Sequence, residues 1–211
     1  MTAVSPLSLV PAEPLMPGDH QILVERTDEQ LMVLASAGSQ AAFGQLVERY
    51  MARVVNYCTK VTADPRSGEE LAQETFLQLW AHRQRYAPSA RFVIYLFTAA
   101  RNRCKNHNRW WRRRTPWEDR AATATELDAA PVRASQLDDL LDRERQRRTR
   151  EALTRLPSNL REAVILRFDQ GLEYCEIAAI VERPEATVRS RVFHGLRRLR
   201  ELLQTNEGDM R

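Results

Sequence analysis

Residues 174–191, YCEIAAIVERPEATVRSR, hold the pattern that decides the fold. Tyr174 to Val181 reads as a short helix, Glu182 and Arg183 as a break, and Pro184 to Arg191 as the start of a second helix. Two helices joined by a turn of three to four residues form a helix-turn-helix, whose second helix enters the major groove of DNA. Pro184 suits the first turn of that helix, where its missing N–H costs little. Beyond it, Val188, Val192, Leu196, Leu199 and Leu203 fall within about 80° of one another at 100° per residue, which predicts one buried stripe. Ser190, His194, Arg197 and Arg198 then face away, with Thr187 and Arg191 flanking them, while Arg189 and Phe193 fall near the stripe's edge. The outer face has the chemistry of a DNA reader: arginine forks onto guanine, hydroxyls meet bases or phosphates, and the remaining cations neutralise the backbone.

Charge along the chain supports the same reading. The formal net charge is only +4, but the basic residues are bunched. Residues 101–114, RNRCKNHNRWWRRR, hold seven basic residues and no acid, and residues 186–200 hold five arginines and no acid. Between them, residues 115–142 are acidic and alanine-rich, so two separate contact surfaces for a polyanion are implied. Trp110, Trp111 and Trp117 accompany the first block, and aromatic rings amid positive charge suit unstacked bases. Packing at the end of a helix is the competing role for any one of these rings.

Around these blocks the pattern is helical throughout. Leu31, Leu34 and Ala35 make a short stripe before Gly38 and Ser39; Phe43, Leu46, Val47, Tyr50, Val54 and Tyr57 continue one at helical spacing. Asp64, Pro65 and Gly68 read as a break, followed by a helix from Glu69 to about Gln84 and another from about Ala90 into the basic run. Further helices are expected at about 137–155, 158–169, 173–181 and 185–204. With no alternating stretch between hairpin turns, the fold class is all-α: two small helical domains, 25–114 and 137–205. A linker at 115–136 joins them, after a proline-bearing leader at 1–24 and before a tail at 206–211. Cys58, Cys104 and Cys175 form neither a disulfide framework nor a metal site, and no run approaches the length of a spanning helix. A cytoplasmic protein with no metal, cofactor or small-molecule substrate is expected.

Residues 153–203, LTRLPSNLREAVILRFDQGLEYCEIAAIVERPEATVRSRVFHGLRRLRELL, closely resemble region 4 of extracytoplasmic-function (ECF) sigma factors. Three earlier stretches resemble sigma region 2 in the expected order: SQAAFGQLVERY from Ser39, EELAQETFLQLW from Glu69 and FVIYLFTAARNRCKNHNR from Phe92. The resemblance implies a promoter-specificity subunit of bacterial RNA polymerase. Region 2 would grip the polymerase β′ subunit, with the surface falling on Glu70, Gln73, Glu74, Leu77 and Gln78. It would also open the minus-ten promoter element, at Arg85, Tyr86, Arg91, Asn102, Lys105, Asn106 and Arg109. Region 4 would rest on the β subunit and read the minus-thirty-five element through Arg189, Ser190, Phe193 and His194, to which the wheel adds Thr187, Arg191 and Arg197. A cognate anti-sigma factor, often membrane-bound, is the further partner the resemblance implies. The sequence departs from the family at Glu182 and Ala186, where glycine is usual, and at Tyr95, where tryptophan is. A left-handed backbone at Glu182 would cost about 1 kcal/mol or more.

Two other classes fit the residues less well. An enzyme would need a site, and His20, His82, His107 and His194 are scattered, with no H-E-x-x-H, G-x-S-x-G or phosphate-cradling loop. A stand-alone helix-turn-helix regulator would account for residues 137–205 but leave the first domain and its basic block unexplained.

Overall fold

The computed structural model describes residues 23–87, 91–114 and 136–208. The leader, the linker with Trp117 and the end of the tail lie outside them, as do the rings of Trp110 and Trp111. Among the described residues there are eight α-helices and no strand: α1 Asp28–Ser36, α2 Gln40–Thr62, α3 Pro65–Ala81, α4 Phe92–Arg114, α5 Gln136–Thr154, α6 Ser158–Val164, α7 Tyr174–Val181 and α8 Glu185–Gly208. A 3-10 turn, Arg83–Arg85, follows α3, and a π turn, Ile165–Asp169, extends α6.

Local chemistry starts the helices where sequence rules place them, with one exception. Thr27 and Gln30 form a capping box for α1, and the Ser39 side chain caps α2. The expected break at Asp64–Gly68 is instead the first turn of α3: Asp64 accepts from the Arg66 N–H and Pro65 occupies the opening position, where it is preorganised for a helix. Gly68 is there for closeness, since a Cβ on it would lie 1.9 Å from Thr59 Oγ1 of α2. The same helix stops at Ala81, short of the expected Gln84.

In the first domain, α1, α2, α3 and α4 bury Leu31, Leu46, Val54, Tyr57, Phe76, Leu79, Phe92, Leu96 and Phe97. Phe97 meets Tyr57 edge-on at 5.2 Å, and Phe92 meets Tyr50 at 5.5 Å. In the second, the π turn and α7 supply Ile165, Leu166, Ile177 and Ile180, against which α8 lays Val188 and Val192. The helix-turn-helix turn passes through Glu182 at φ 54°, ψ 51°, so the left-handed position that glycine usually takes is held here by a residue with a Cβ.

Sequence spacing did not foretell how the two domains lie: α4 packs along α7, α2 meets the π turn, and one continuous core runs through both. The π turn closes with Gln170 N–H donating to Ile165 O at 3.0 Å. Its wider pitch carries Asp169 and Gln170 onto α2. Asp169 receives Lys60 and Asn56, while Gln170 receives Arg53 at its carbonyl (2.9 Å) and side chain (3.3 Å). At the centre, Arg101 of α4 donates Nε to Glu162 Oε1 of α6 at 3.0 Å and Nη2 to Val181 O at 3.3 Å. Tyr57 O–H donates to the same Glu162 oxygen at 3.3 Å. The ionic side chains are 7% and 11% exposed, so this is a buried pair, reinforced by a hydrogen bond to each partner from outside it.

Candidate nucleic-acid interface

Helix α8 is seated differently from the expected wheel. Val188, Val192 and Gly195 are buried and Leu199 and Leu202 half-buried, whereas Leu196 is exposed. Gly195 causes the difference: a Cβ there would lie 2.6 Å from Val164 Cγ2 and 3.3 Å from Leu160 O, so α8 touches α6 at this point. Replacing Leu196 by Gly195 and Leu202 in the contact line moves the centre of the buried stripe by about 40° at 100° per residue. The shift carries Arg189 and Phe193 off the stripe's edge. Arg189, Ser190, Phe193, His194 and Arg197 are all exposed, with Thr187 and Arg191 half-buried at the margins. Phe193 and His194 pack edge-on at 5.4 Å.

Arg189, Arg197 and Arg198 are paired cations. Glu185 and Glu201, each just outside the acid-free run, fold back onto it. Glu185 accepts from Arg189, and Glu201 from Arg197 (3.4 Å) and Arg198 (3.0 Å). Arg189 also lies over the Tyr174 ring of α7, 4.4 Å from its centroid, and Arg167 lies over the same ring at 5.0 Å. Sequence reasoning missed Tyr174, Arg167 and Glu185 because the two α7-side partners are distant along the chain and the acid sits one residue beyond the basic block.

On the first domain, α4 continues as one helix through the basic run to Arg114, with Asn102, Lys105, Asn106 and Arg109 exposed. Partial burial, and then the Arg101 charge, hold the Lys105 ammonium below its ordinary pKa. Arg85 is exposed, but Tyr86 is half-buried against Tyr95 at 5.3 Å. Arg91 is exposed but paired: it meets Glu176 of α7, whose other oxygen accepts from Glu173 N–H at 2.8 Å in a capping box. The minus-ten set is therefore split, its α4 members on a common helix and, of its loop members, Tyr86 and Arg91 tied to neighbours while Arg85 is exposed.

The face of α3 expected to meet polymerase has Glu70, Gln73 and Leu77 exposed, Leu77 at 69%. Glu74 and Gln78 are half-buried and bridged by Arg103 of α4, at 3.3 and 2.9 Å. Beside this face runs an apolar groove of about 440 Å³ floored by Phe43, Val47, Met51, Phe76 and Trp80. No helix among the described residues is long and apolar enough to cross a membrane.

Two helical domains, one with a helix-turn-helix and a basic reading face and the other with a basic helix beside an exposed apolar groove, define a DNA-binding transcription factor. Residues 46–115 match the family model for sigma-70 region 2, and residues 146–199 the one for sigma-70 region 4. Among curated relatives, the RNA polymerase sigma factor CarQ of Myxococcus xanthus is 34% identical over 166 residues, covering 79% of this chain and 91% of that protein. The ECF RNA polymerase sigma-E factor of Escherichia coli K12 is 31% identical over 173 residues, 79% of this chain and 89% of that protein. Among solved structures, the sigma factor RpoE of Bartonella quintana, determined with the anti-sigma factor NepR, superposes with a TM-score of 0.60 at 25% identity, covering 77% of this chain and 96% of that one. The chain belongs to the ECF family of RNA polymerase sigma factors, transcription initiation factors that bind core polymerase and direct it to promoters.

Proposed function

We propose the following division of labour within this sigma factor. Residues 25–114 bind the β′ subunit of core polymerase through the α3 face of Glu70, Gln73, Glu74, Leu77 and Gln78. The residue types there suit a protein partner, since Leu77 and the adjoining groove offer apolar area ringed by acids and amides, the anatomy of a protein interface. The same domain takes the minus-ten element through Asn102, Lys105, Asn106 and Arg109, with Arg85, Tyr86 and Arg91 at the loop. Residues 137–205 read the minus-thirty-five element through Thr187, Arg189, Ser190, Arg191, Phe193, His194 and Arg197, and rest on the β subunit. Residues 115–136 link the two.

The observation that carries the reading is the outer face of α8, where Arg189, Ser190, Phe193, His194 and Arg197 stand exposed together on the second helix of a helix-turn-helix. Such a face matches the major groove in shape and in hydrogen-bonding groups. The protein works in the cytoplasm, without catalytic chemistry of its own, and is restrained by an anti-sigma factor, the partner type named for the Bartonella quintana relative.

Run-off transcription tests the assignment. Purified core polymerase with this protein gives a start-site-specific transcript on the protein's own promoter region, and core polymerase alone gives none. Absence of both that transcript and core binding, with duplex binding retained, would leave a stand-alone helix-turn-helix regulator instead.

A further inference from the structure

Arg189 is the most constrained of the exposed cations on α8. Its guanidinium carbon lies 4.4 Å from the Tyr174 ring centroid, and its Nε and Nη2 both donate to Glu185 Oε1, at 3.0 and 2.5 Å. The ring beneath is held in turn, since Arg167, also over it at 5.0 Å, donates to Leu172 O at 2.9 Å and to Glu173 Oε1 at 3.2 Å.

A guanidinium offers a planar face and five N–H groups in a fixed fork. Here Tyr174 covers the face and Glu185 takes the Nε–Nη2 side. The Nη1–Nη2 end is left, and its two parallel N–H groups match the O6 and N7 acceptors of guanine. An unconstrained arginine loses side-chain rotamer freedom when it grips a base; this one has lost much of it beforehand, which favours binding. We propose that Tyr174 and Glu185 are positioning residues for Arg189, holding it so that its Nη1–Nη2 end reads a guanine in the major groove of the minus-thirty-five element. The proposal rests on the assignment of α8 as reader of that element.

Glu185 makes the test decisive, because a carboxylate near phosphates weakens binding to every duplex while it orients the arginine. The full-length protein with core polymerase is titrated against the promoter duplex defined by run-off transcription and against its single-base-pair variants, over a range of salt. Arg189→Ala should abolish discrimination at one G·C pair. Tyr174→Leu should lower discrimination at that pair roughly fivefold, the size of one stacking contact at a partly exposed site, with the other pairs and the salt slope unmoved. Tyr174→Phe, which keeps the stacking face, should restore it. Glu185→Gln should raise affinity for all duplexes and still lower discrimination at the same pair.

If Tyr174→Leu weakens all duplexes evenly, the ring is merely structural and the proposal fails. It fails as well if Glu185→Gln leaves discrimination intact, a result that does not depend on how well the leucine variant folds. If Arg189→Ala itself changes no base preference, the assignment of α8 as reader falls with it.

Discussion

Arg101 and Glu162 join the two domains, and removing one of them should be far more costly than removing both. At 3.0 Å, two unit charges attract by about 5.5 kcal/mol at an effective dielectric near 20. Dehydrating both groups offsets much of that gain. Taking away one partner leaves the other buried without its counter-charge, a loss of about 3–5 kcal/mol for pairs of this kind. Arg101→Met leaves Glu162 only the Tyr57 hydroxyl, and Glu162→Leu leaves Arg101 only the Val181 carbonyl. Each single variant should therefore lower stability in urea by about 3 kcal/mol or more. The Arg101→Met/Glu162→Leu double variant, apolar on both sides, should recover most of that loss, giving a coupling of about 2–3 kcal/mol in a double-mutant cycle. Loss of docking has a second signature: small-angle scattering of the single variants should show a larger radius of gyration as the domains part. Single-variant losses below about 1 kcal/mol with no coupling and unchanged scattering would refute the inference that this pair holds the domains together.

Further outcomes follow from other contacts. Glu182→Gly should raise stability by about 0.5–1 kcal/mol, measured by thermal melting, because glycine carries no Cβ penalty at the left-handed turn position; no gain would mean that Glu182 is compensated by contacts elsewhere. Gly195→Ala should cost about 1–3 kcal/mol by overpacking against Val164, and Val164→Ala on that background should recover part of it; an unperturbed Gly195→Ala would show that α8 does not seat on α6 as described. Ellman titration of the native protein should count one reactive thiol, Cys175, with Cys58 and Cys104 reacting only in denaturant, since both are buried. The hydrogen bond that the Cys104 S–H donates to Cys58, and then burial, also push the Cys104 thiol well above its ordinary pKa. Burial, and then Asp28 and Glu162 respectively, raise the phenols of Tyr50 and Tyr57 above the ordinary value. Their neutral forms thus contribute stability that is full below about pH 10 and is lost as pH rises beyond it. Tyrosinate absorbance should therefore lag behind a free-tyrosine curve until the protein unfolds; a single step near pH 10 for all the tyrosines would contradict this.

What was legible in the sequence was whatever depends on neighbours along the chain. Ser39 and the stripe from Phe43 to Tyr57 announce a helix through cap and period, and Pro184 marks the second helix of the motif. The left-handed cost at Glu182 was readable through the family resemblance, which puts a glycine at that turn position. Legibility failed where a glycine acts by having no side chain. Gly68 reads as a breaker, yet it lets α3 touch Thr59; Gly195 drops out of a stripe of apolar residues, yet it sets the angle of α8 and so exposes Phe193. Docking was illegible for another reason. Arg101 and Glu162 look like ordinary surface charges until the π turn at Ile165–Asp169 and the close approach of α4 to α7 bring them together from opposite halves of the chain. The site divides in the same way: basic blocks advertise polyanion binding, but which cations are occupied, by Glu185, Glu201 and Glu176, depends on side-chain placement.

Docking also limits what one molecule can span. The minus-ten and minus-thirty-five elements are separated by roughly 25 base pairs, about 85 Å of duplex at 3.4 Å per pair. On the proposed division of labour, α4 and α7 belong to the domains that take the two elements, and the two helices are in direct contact, so a docked molecule that follows this division does not lie on both elements at once. Promoter occupancy must draw on the undocked fraction, and apparent affinity for a full promoter is weakened in proportion to the scarcity of that fraction. By linkage, whatever favours undocking tightens promoter binding by the same factor, and whatever bridges the two domains in the docked form loosens it.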